Sequence, residues 1–222
     1  MDKKIKIVVD NTEIEAVEGA NLLETCLDND IYIPNLCYLK DMETPSVSCR
    51  LCFVELEGVN NPVSSCTVKV TEEMVVRTDT EKVRRLQQAA FKLLLSTHLV
   101  DCRNCPANKR CEIQKLAGFL KVGLKNEDFE KKIKDNDVDE THPLIHYYPS
   151  RCVLCGRCVY ICEKKGHSIL SFANRGLDTV ISLYGQEENL SCESCRECIE
   201  VCPVKALQFN VSDKTGPLTD SI

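Results

Sequence analysis

The chain has no Trp, only 9 Gly among its 222 residues, and an aromatic content of 5%. So little Gly excludes a fibrous or low-complexity protein, while a hydrophobic fraction of 43% is enough for packed cores. No stretch approaches 18 consecutive apolar residues, so no membrane span is expected. The N-terminus, MDKKIKIVVDNTEIEAVEG, offers neither an apolar h-region nor a small-residue cleavage site, and the expected compartment is the cytoplasm. Cationic residues are in the minority, 28 Lys and Arg against 34 Asp and Glu. The net charge of -6 argues against a non-specific nucleic-acid binder. There is no G-x-G-x-x-G and no P-loop, hence no predicted dinucleotide or phosphate cradle. No Ser, His and Asp arrangement suggests hydrolysis, and no catalytic residue is assigned.

What the chain has instead is cysteine, 16 in all. In a reducing compartment a Cys-rich chain is metal-binding more often than disulfide-stapled. The spacing agrees. Many of the thiols sit three or four residues apart, which gathers several around one point instead of tying distant segments together.

Two of four constellations form an internal repeat. CVLCGRCVYIC (152–162) returns as CESCRECIEVC (192–202), offset by 40 residues and followed by Pro203. Each copy is C-x2-C-x2-C-x3-C, in which three Cys wrap three corners of a cubane and the fourth points to the other cluster. Cys152, Cys155, Cys158 and Cys202 are therefore assigned to one [4Fe–4S], and Cys192, Cys195, Cys198 and Cys162 to a second. Zinc sites pair two C-x2-C loops, and a triple run gives one thiolate too many.

A third set, Cys37, Cys49, Cys52 and Cys66, suits a [2Fe–2S] rhomb, although its first gap exceeds the plant-type spacing and zinc competes. The fourth set is His98, Cys102, Cys105 and Cys111. By itself H-x3-C-x2-C-x5-C fits a zinc knuckle as well as a [4Fe–4S] with one imidazole ligand, and the neighbouring sites favour the cluster. Only Cys26 is left over, on the apolar face of a short helix, where it reads as a small buried hydrophobe. His142, His146 and His167 are assigned no role, the first two as plain surface residues. Gly156 lies between ligands, and Arg196 occupies the matching place in the second repeat.

The element pattern is α+β. Residues 4–9 and 12–17 predict a hairpin through Asp10-Asn11, and a helix carries Leu22, Leu23, Cys26 and Leu27. Strands are expected in 51–58 and 74–78. Thr78 stands three residues before Glu81, which predicts a capping box. The helix it opens shows a stripe of Val83, Leu86, Ala90, Leu93 and Leu94 and runs to about Ser96. A shorter helix carries Ile113, Leu116, Ala117 and Leu120 and stops at Gly123. Residues 125–140 hold 11 charged side chains in 16 and read as a solvated linker or exposed helix.

The order of these sites resembles a known family. IPNLCY, SCRLCFVEL and SSCTVKVTEEMVVRT, then STHLVDCRNCPANKRCEIQKLA, then the paired repeat, are similar to the N-terminal region shared by three groups. These are the large iron–sulfur subunit of complex I, [FeFe]-hydrogenases, and the small diaphorase subunit of NAD-linked hydrogenases. The resemblance covers roughly residues 4–210. It implies a β-grasp plant-type ferredoxin domain (1–78), a helical domain with a one-His, three-Cys cluster (79–122), a charged linker (123–143), a bacterial-type two-[4Fe–4S] ferredoxin domain (144–211) and a tail (212–222). Glu73, Glu163 and Arg196 depart from the family pattern without touching a ligand. With no hydrogenase active-site segment, the chain is in length most similar to the stand-alone diaphorase subunit.

The expected function is an electron relay holding one [2Fe–2S] and three [4Fe–4S] in a cytoplasmic NAD(P)-linked oxidoreductase complex of hydrogenase, formate dehydrogenase or flavin-based bifurcating type. The expected partners are a flavin- and NAD(P)-binding subunit and a catalytic redox subunit such as a hydrogenase, in a hetero-oligomer. The alternatives are a free ferredoxin-like shuttle and a zinc-stabilised structural protein.

Overall fold

A computed structural model describes residues 3–40, 42–125, 130–184 and 190–210. The expected tail lies outside these residues. The architecture is α+β.

The N-terminal half is built on a five-stranded mixed sheet. Strands β1 (Lys4–Val9) and β2 (Thr12–Val17) form the expected hairpin, with Val9 opposite Thr12. Asp10 and Asn11 both adopt positive φ, 48° and 67°, as a two-residue type I′ turn requires. Helix α1 (Leu22–Asp28) follows, then β3 (Phe53–Leu56), β4 (Val63–Ser64) and β5 (Val75–Arg77). The strand order is β2-β1-β5-β3-β4, and only β1 and β5 run parallel. Ile5, Ile7, Val9, Leu22, Leu23, Cys26, Val54 and Val76 fill the core beneath it.

Helix α2 (Glu81–Ser96) differs from expectation at its start and along its face. Its N-cap is Thr80, whose hydroxyl accepts from Val83 N at 3.1 Å. Thr78 is engaged elsewhere, since its N–H and hydroxyl both donate to the Asp10 carboxylate and tie the hairpin turn to the end of β5. The buried face is Val83, Gln87, Phe91 and Leu95, whereas Leu86 and Leu93 are 37% and 55% exposed. Gln87 belongs in the interior because its amide donates to the Phe53 carbonyl of β3 at 3.1 Å. Helix α3 (Glu112–Leu120) buries all four expected residues and ends at Lys121 in the left-handed conformation.

The charged segment is not solvated throughout. The backbone N–H of Lys132 and the ammonium of Lys131 donate to the Ser96 and Leu95 carbonyls, which α2 leaves open at its C-terminus. Strand β6 (Asp139–His142) already lies inside the expected linker, and with β7 (Ile145–Tyr147) and β10 (Leu207–Phe209) it forms a sheet ordered β10-β7-β6. His142 is 1% exposed, against the expectation of a surface residue, because it ends a strand that packs into this sheet. Its Nδ1 accepts from Leu144 N.

The repeat folds as α4 (Arg157–Lys164), a hairpin of β8 (Leu170–Ala173) and β9 (Val180–Leu183), then α5 (Leu190–Cys195) and α6 (Glu197–Glu200). A second core runs without a break from Cys37, Cys49 and Leu51, through Phe91, Leu95 and Leu116, to Tyr147, Cys152 and Leu207. Cysteines of all four constellations line this one interior.

Candidate metal centres

The first constellation sits where the N-terminal sheet meets its loops. Cys37 follows α1, Cys49 and Cys52 precede β3, and Cys66 lies in the single turn after β4. All four are at most 4% exposed. Val47 and Arg50 take positive φ, 52° and 53°, which curls the loop so that Cys49 and Cys52 face inward together. Asn21 clamps the fourth corner. Its side-chain oxygen caps α1 by accepting from Leu23 N and Glu24 N, while its amide donates to the Cys66 carbonyl at 2.6 Å. The sulfurs meet as two pairs, Cys37 with Cys49 and Cys52 with Cys66. In each pair one thiol stabilises the other's thiolate: Cys37 and Cys52 are pulled down, and Cys49 and Cys66 are pushed up. Two pairs of thiols match the two irons of a [2Fe–2S] rhomb, each needing two sulfurs.

His98, Cys102, Cys105 and Cys111 line one small pocket together with Leu99, Ile113 and Leu124. His98 is reached through two bonds between its segment and a turn far along the chain. Leu99 N donates to Ser150 O, and His98 Nδ1 lies 2.7 Å from Arg151 O. A carbonyl only accepts, so Nδ1 carries the proton and Nε2 keeps its lone pair for a metal. Burial lowers the His98 pKa, which favours the neutral imidazole a ligand must be. Cys111 precedes α3 with the Ile113 and Gln114 N–H groups facing its sulfur, which favours thiolate against the upward push of burial.

In the repeat, Cys152, Cys155 and Cys158 share their electrostatic environment with Cys202, and Cys192, Cys195 and Cys198 share theirs with Cys162. The fourth Cys of each copy thus stands with the first three of the other. Burial pushes the Cys155 and Cys198 thiols up to about 12. Backbone N–H groups face the sulfurs, Leu154 N at 3.4 Å from Cys152 and Ala206 N at 3.2 Å from Cys202. Gly156 and Arg196 both precede a helix at positive φ, 79° and 49°. A Cβ on Gly156 would stand 3.3 Å from the Phe172 ring, whereas Arg196 stacks its guanidinium over Phe209 at 3.9 Å. Cys26 stays apart, fully buried, its thiol pushed up to about 12 by burial.

Two contacts link the constellations. Ser46, beside the Cys37 sulfur, reaches the Cys155 carbonyl at 3.5 Å. His98 is bonded to the carbonyl of Arg151, the residue before Cys152. Neither Ser46 nor Asn21 carried a spacing signal, because each acts on a backbone carbonyl. Among the described residues no three His, Cys, Asp or Glu side chains stand close enough to hold a single metal ion, and no helix is long and apolar enough to cross a membrane.

Three family models match in order. Residues 2–81 match a 2Fe-2S iron-sulfur cluster binding domain, and residues 87–124 the NADH-ubiquinone oxidoreductase-G iron-sulfur binding region. Residues 142–208 match the ferredoxin-like domain of NADH-quinone oxidoreductase subunit 3. The NADH-ubiquinone oxidoreductase 75 kDa subunit of Reclinomonas americana is 31% identical over 205 residues, 91% of this chain and 29% of that protein. The NADP-reducing hydrogenase subunit HndD of Solidesulfovibrio fructosivorans is 32% identical over 211 residues, 91% of this chain and 36% of its own length. The chain thus spans about a third of the length of these curated relatives. A chain of the crystal structure of NAD+-reducing [NiFe]-hydrogenase in the H2-reduced state superposes with a TM-score of 0.82 at 26% identity, covering 96% of this chain and 91% of that one. By these matches the chain carries a 2Fe-2S domain and an NADH-G-type iron–sulfur region, and it is similar along most of its length to subunits of NADH-ubiquinone oxidoreductases and NAD(P)-linked hydrogenases.

Proposed function

We propose that this chain is the electron-relay subunit of a cytoplasmic NAD(P)-linked oxidoreductase complex. It holds one [2Fe–2S] on Cys37, Cys49, Cys52 and Cys66. One [4Fe–4S] sits on His98, Cys102, Cys105 and Cys111, one on Cys152, Cys155, Cys158 and Cys202, and one on Cys192, Cys195, Cys198 and Cys162. The first unit is then a β-grasp ferredoxin domain and the last a bacterial-type two-cluster ferredoxin. The flavin and nucleotide sit on a partner subunit and the terminal chemistry on another, such as a hydrogenase.

What supports this reading is that cysteines of all four sets line one core, while Ser46, next to the Cys37 set, reaches the Cys155 carbonyl and His98 reaches the carbonyl of Arg151 beside Cys152. When bound, the clusters supply single-electron transfer. The protein's part is to hold each set largely inside, with Cys102, Cys105, Cys195 and Cys202 half-buried, and to tie neighbouring sets together. Ser46 bridges the Cys37 and Cys155 sets; the His98–Arg151 bond joins the His98 set to the same group. The Cys152 set is thus the junction.

Anaerobically purified protein should be brown and contain about 14 iron and about 14 sulfide per chain, the total for one [2Fe–2S] and three [4Fe–4S]. Colourless protein with four zinc atoms overturns the reading. Purification of the native complex should retain a flavoprotein; a chain that always purifies alone is a free shuttle instead.

A further inference from the structure

His98 is gripped from two directions. On one side is the helix that delivers it. Helix α2 ends with open carbonyls, and two of them are closed by the charged segment: the Lys132 N–H donates to Ser96 O at 2.8 Å, and the Lys131 ammonium donates to Leu95 O at 3.1 Å. On the other side is the single turn Pro149–Arg151. Leu99 N, next to His98, donates to Ser150 O at 2.7 Å, and the His98 ring donates from Nδ1 to Arg151 O at 2.7 Å. The charged segment reaches this turn as well. Ser150 is fully buried, and its hydroxyl donates to the Asn136 side-chain oxygen at 2.7 Å.

The same stretch is therefore bonded to the helix end at Lys132 and to the turn at Asn136. These anchors are four residues apart, so the chain between them spans at most about 14 Å. The helix end and the turn cannot drift apart while both hold. This bears on the imidazole. A ligating histidine is aimed by the partner of its other ring nitrogen. Here that partner is a backbone carbonyl, so its place is only as fixed as the turn that carries it.

We propose that residues 131–136 brace the imidazole: Asn136, through the Ser150 hydroxyl, is a positioning residue that keeps the Arg151 carbonyl at His98 Nδ1 and so aims Nε2 at the centre held with Cys102, Cys105 and Cys111. This rests on the cluster assignment above and goes beyond it by giving a segment without any ligand a part in holding one. Asn136 acts at two removes from the ring and takes no part in electron transfer itself.

The test is pulsed electron paramagnetic resonance on the reduced, anaerobically prepared holoprotein, together with the rate of iron release to a chelator from each centre. The centre in question is the one whose imidazole-nitrogen coupling disappears in His98→Cys. In Ser150→Ala and in Asn136→Ala that coupling should weaken or split into two values. Iron release from this centre should quicken about tenfold, the lower end of what loss of an outer partner costs a metal site. The other three centres should keep their signals and rates. The double variant should do no more than either single one, since both cut the same bond. Asn136→Asp keeps an acceptor for Ser150 and should restore coupling and rate. A wild-type coupling in both alanine variants overturns the inference and leaves the relay reading standing. So do equal losses at all four centres, additive losses in the double variant, or no rescue by Asn136→Asp. If Ser150→Ala fails to fold, Asn136→Ala, altered at an exposed position, decides by the same outcomes. Wild-type protein with four centres and no nitrogen coupling removes His98 as a ligand and the brace with it; wild-type protein free of iron and sulfide overturns the relay reading too.

Discussion

His98 shows how much depends on one atom. Its Nδ1 is committed to the Arg151 carbonyl at 2.7 Å, which leaves Nε2 for the proposed ligation. Replacing it by Ala should remove or convert one [4Fe–4S] and leave three centres visible by paramagnetic resonance; four unchanged signals would show that His98 is no ligand. Cys26 is the opposite case. Cys26→Ala should keep every centre and cost about 1 kcal/mol for one lost buried group. Its thiol is held up at about 12, first by burial and then by the Asp10 carboxylate, against a usual value of 9.0. A raised value means stability that is complete below the unfolded thiol's range and fades as pH climbs from about 9 toward about 12. The Cys26→Ala protein should lack that part of the alkaline loss in denaturant titrations of the holoprotein, and equal slopes in both proteins would contradict it. The ligand candidates were legible because cysteine spacing is a local property. Asn21 and Ser46 were not, since each acts across the fold on a carbonyl far away in sequence.

At the scale of elements, the instructive case is α2. A capping box at Thr78 fits the local spacing, but Asp10, 68 residues earlier, takes both donors of Thr78, and Thr80 caps instead. Thr80→Ala should lower stability by about 1 kcal/mol through the lost N-cap. Thr78→Val should act elsewhere, loosening the hairpin turn while the helix start keeps its protection in amide hydrogen exchange. Early exchange at the α2 N-terminus in Thr78→Val and normal exchange in Thr80→Ala would reverse the assignment. The helix stripe misled for a related reason. Apolar periodicity finds Val83, but Gln87 is buried only because β3 offers a carbonyl to its amide. The linker was legible as charged and illegible as a strap, because its backbone N–H and lysine heads close α2 without any apolar signature.

At the scale of the molecule, the loops beside the N-terminal sheet, the helices α2 and α3 and the repeat share an interior lined by their own cysteines. Eight buried or half-buried thiols of the repeat have little else to hold their loops apart or together, so metal removal should be felt well beyond them. Chelation of iron under anaerobic, denaturant-free conditions should collapse the thermal transition of residues 144–211 and leave the β1–β5 sheet, with its own apolar core, the last part to unfold. A thermal profile unchanged by iron loss would mean that packing alone holds the repeat. The crossed arrangement of Cys162 and Cys202 has one more consequence, for biogenesis. In the proposed assignment each cubane would take its last sulfur from the opposite half of the repeat, so neither could be completed by its own half during synthesis. Under that assignment neither site would have its full set of four thiols until residue 202 has been made.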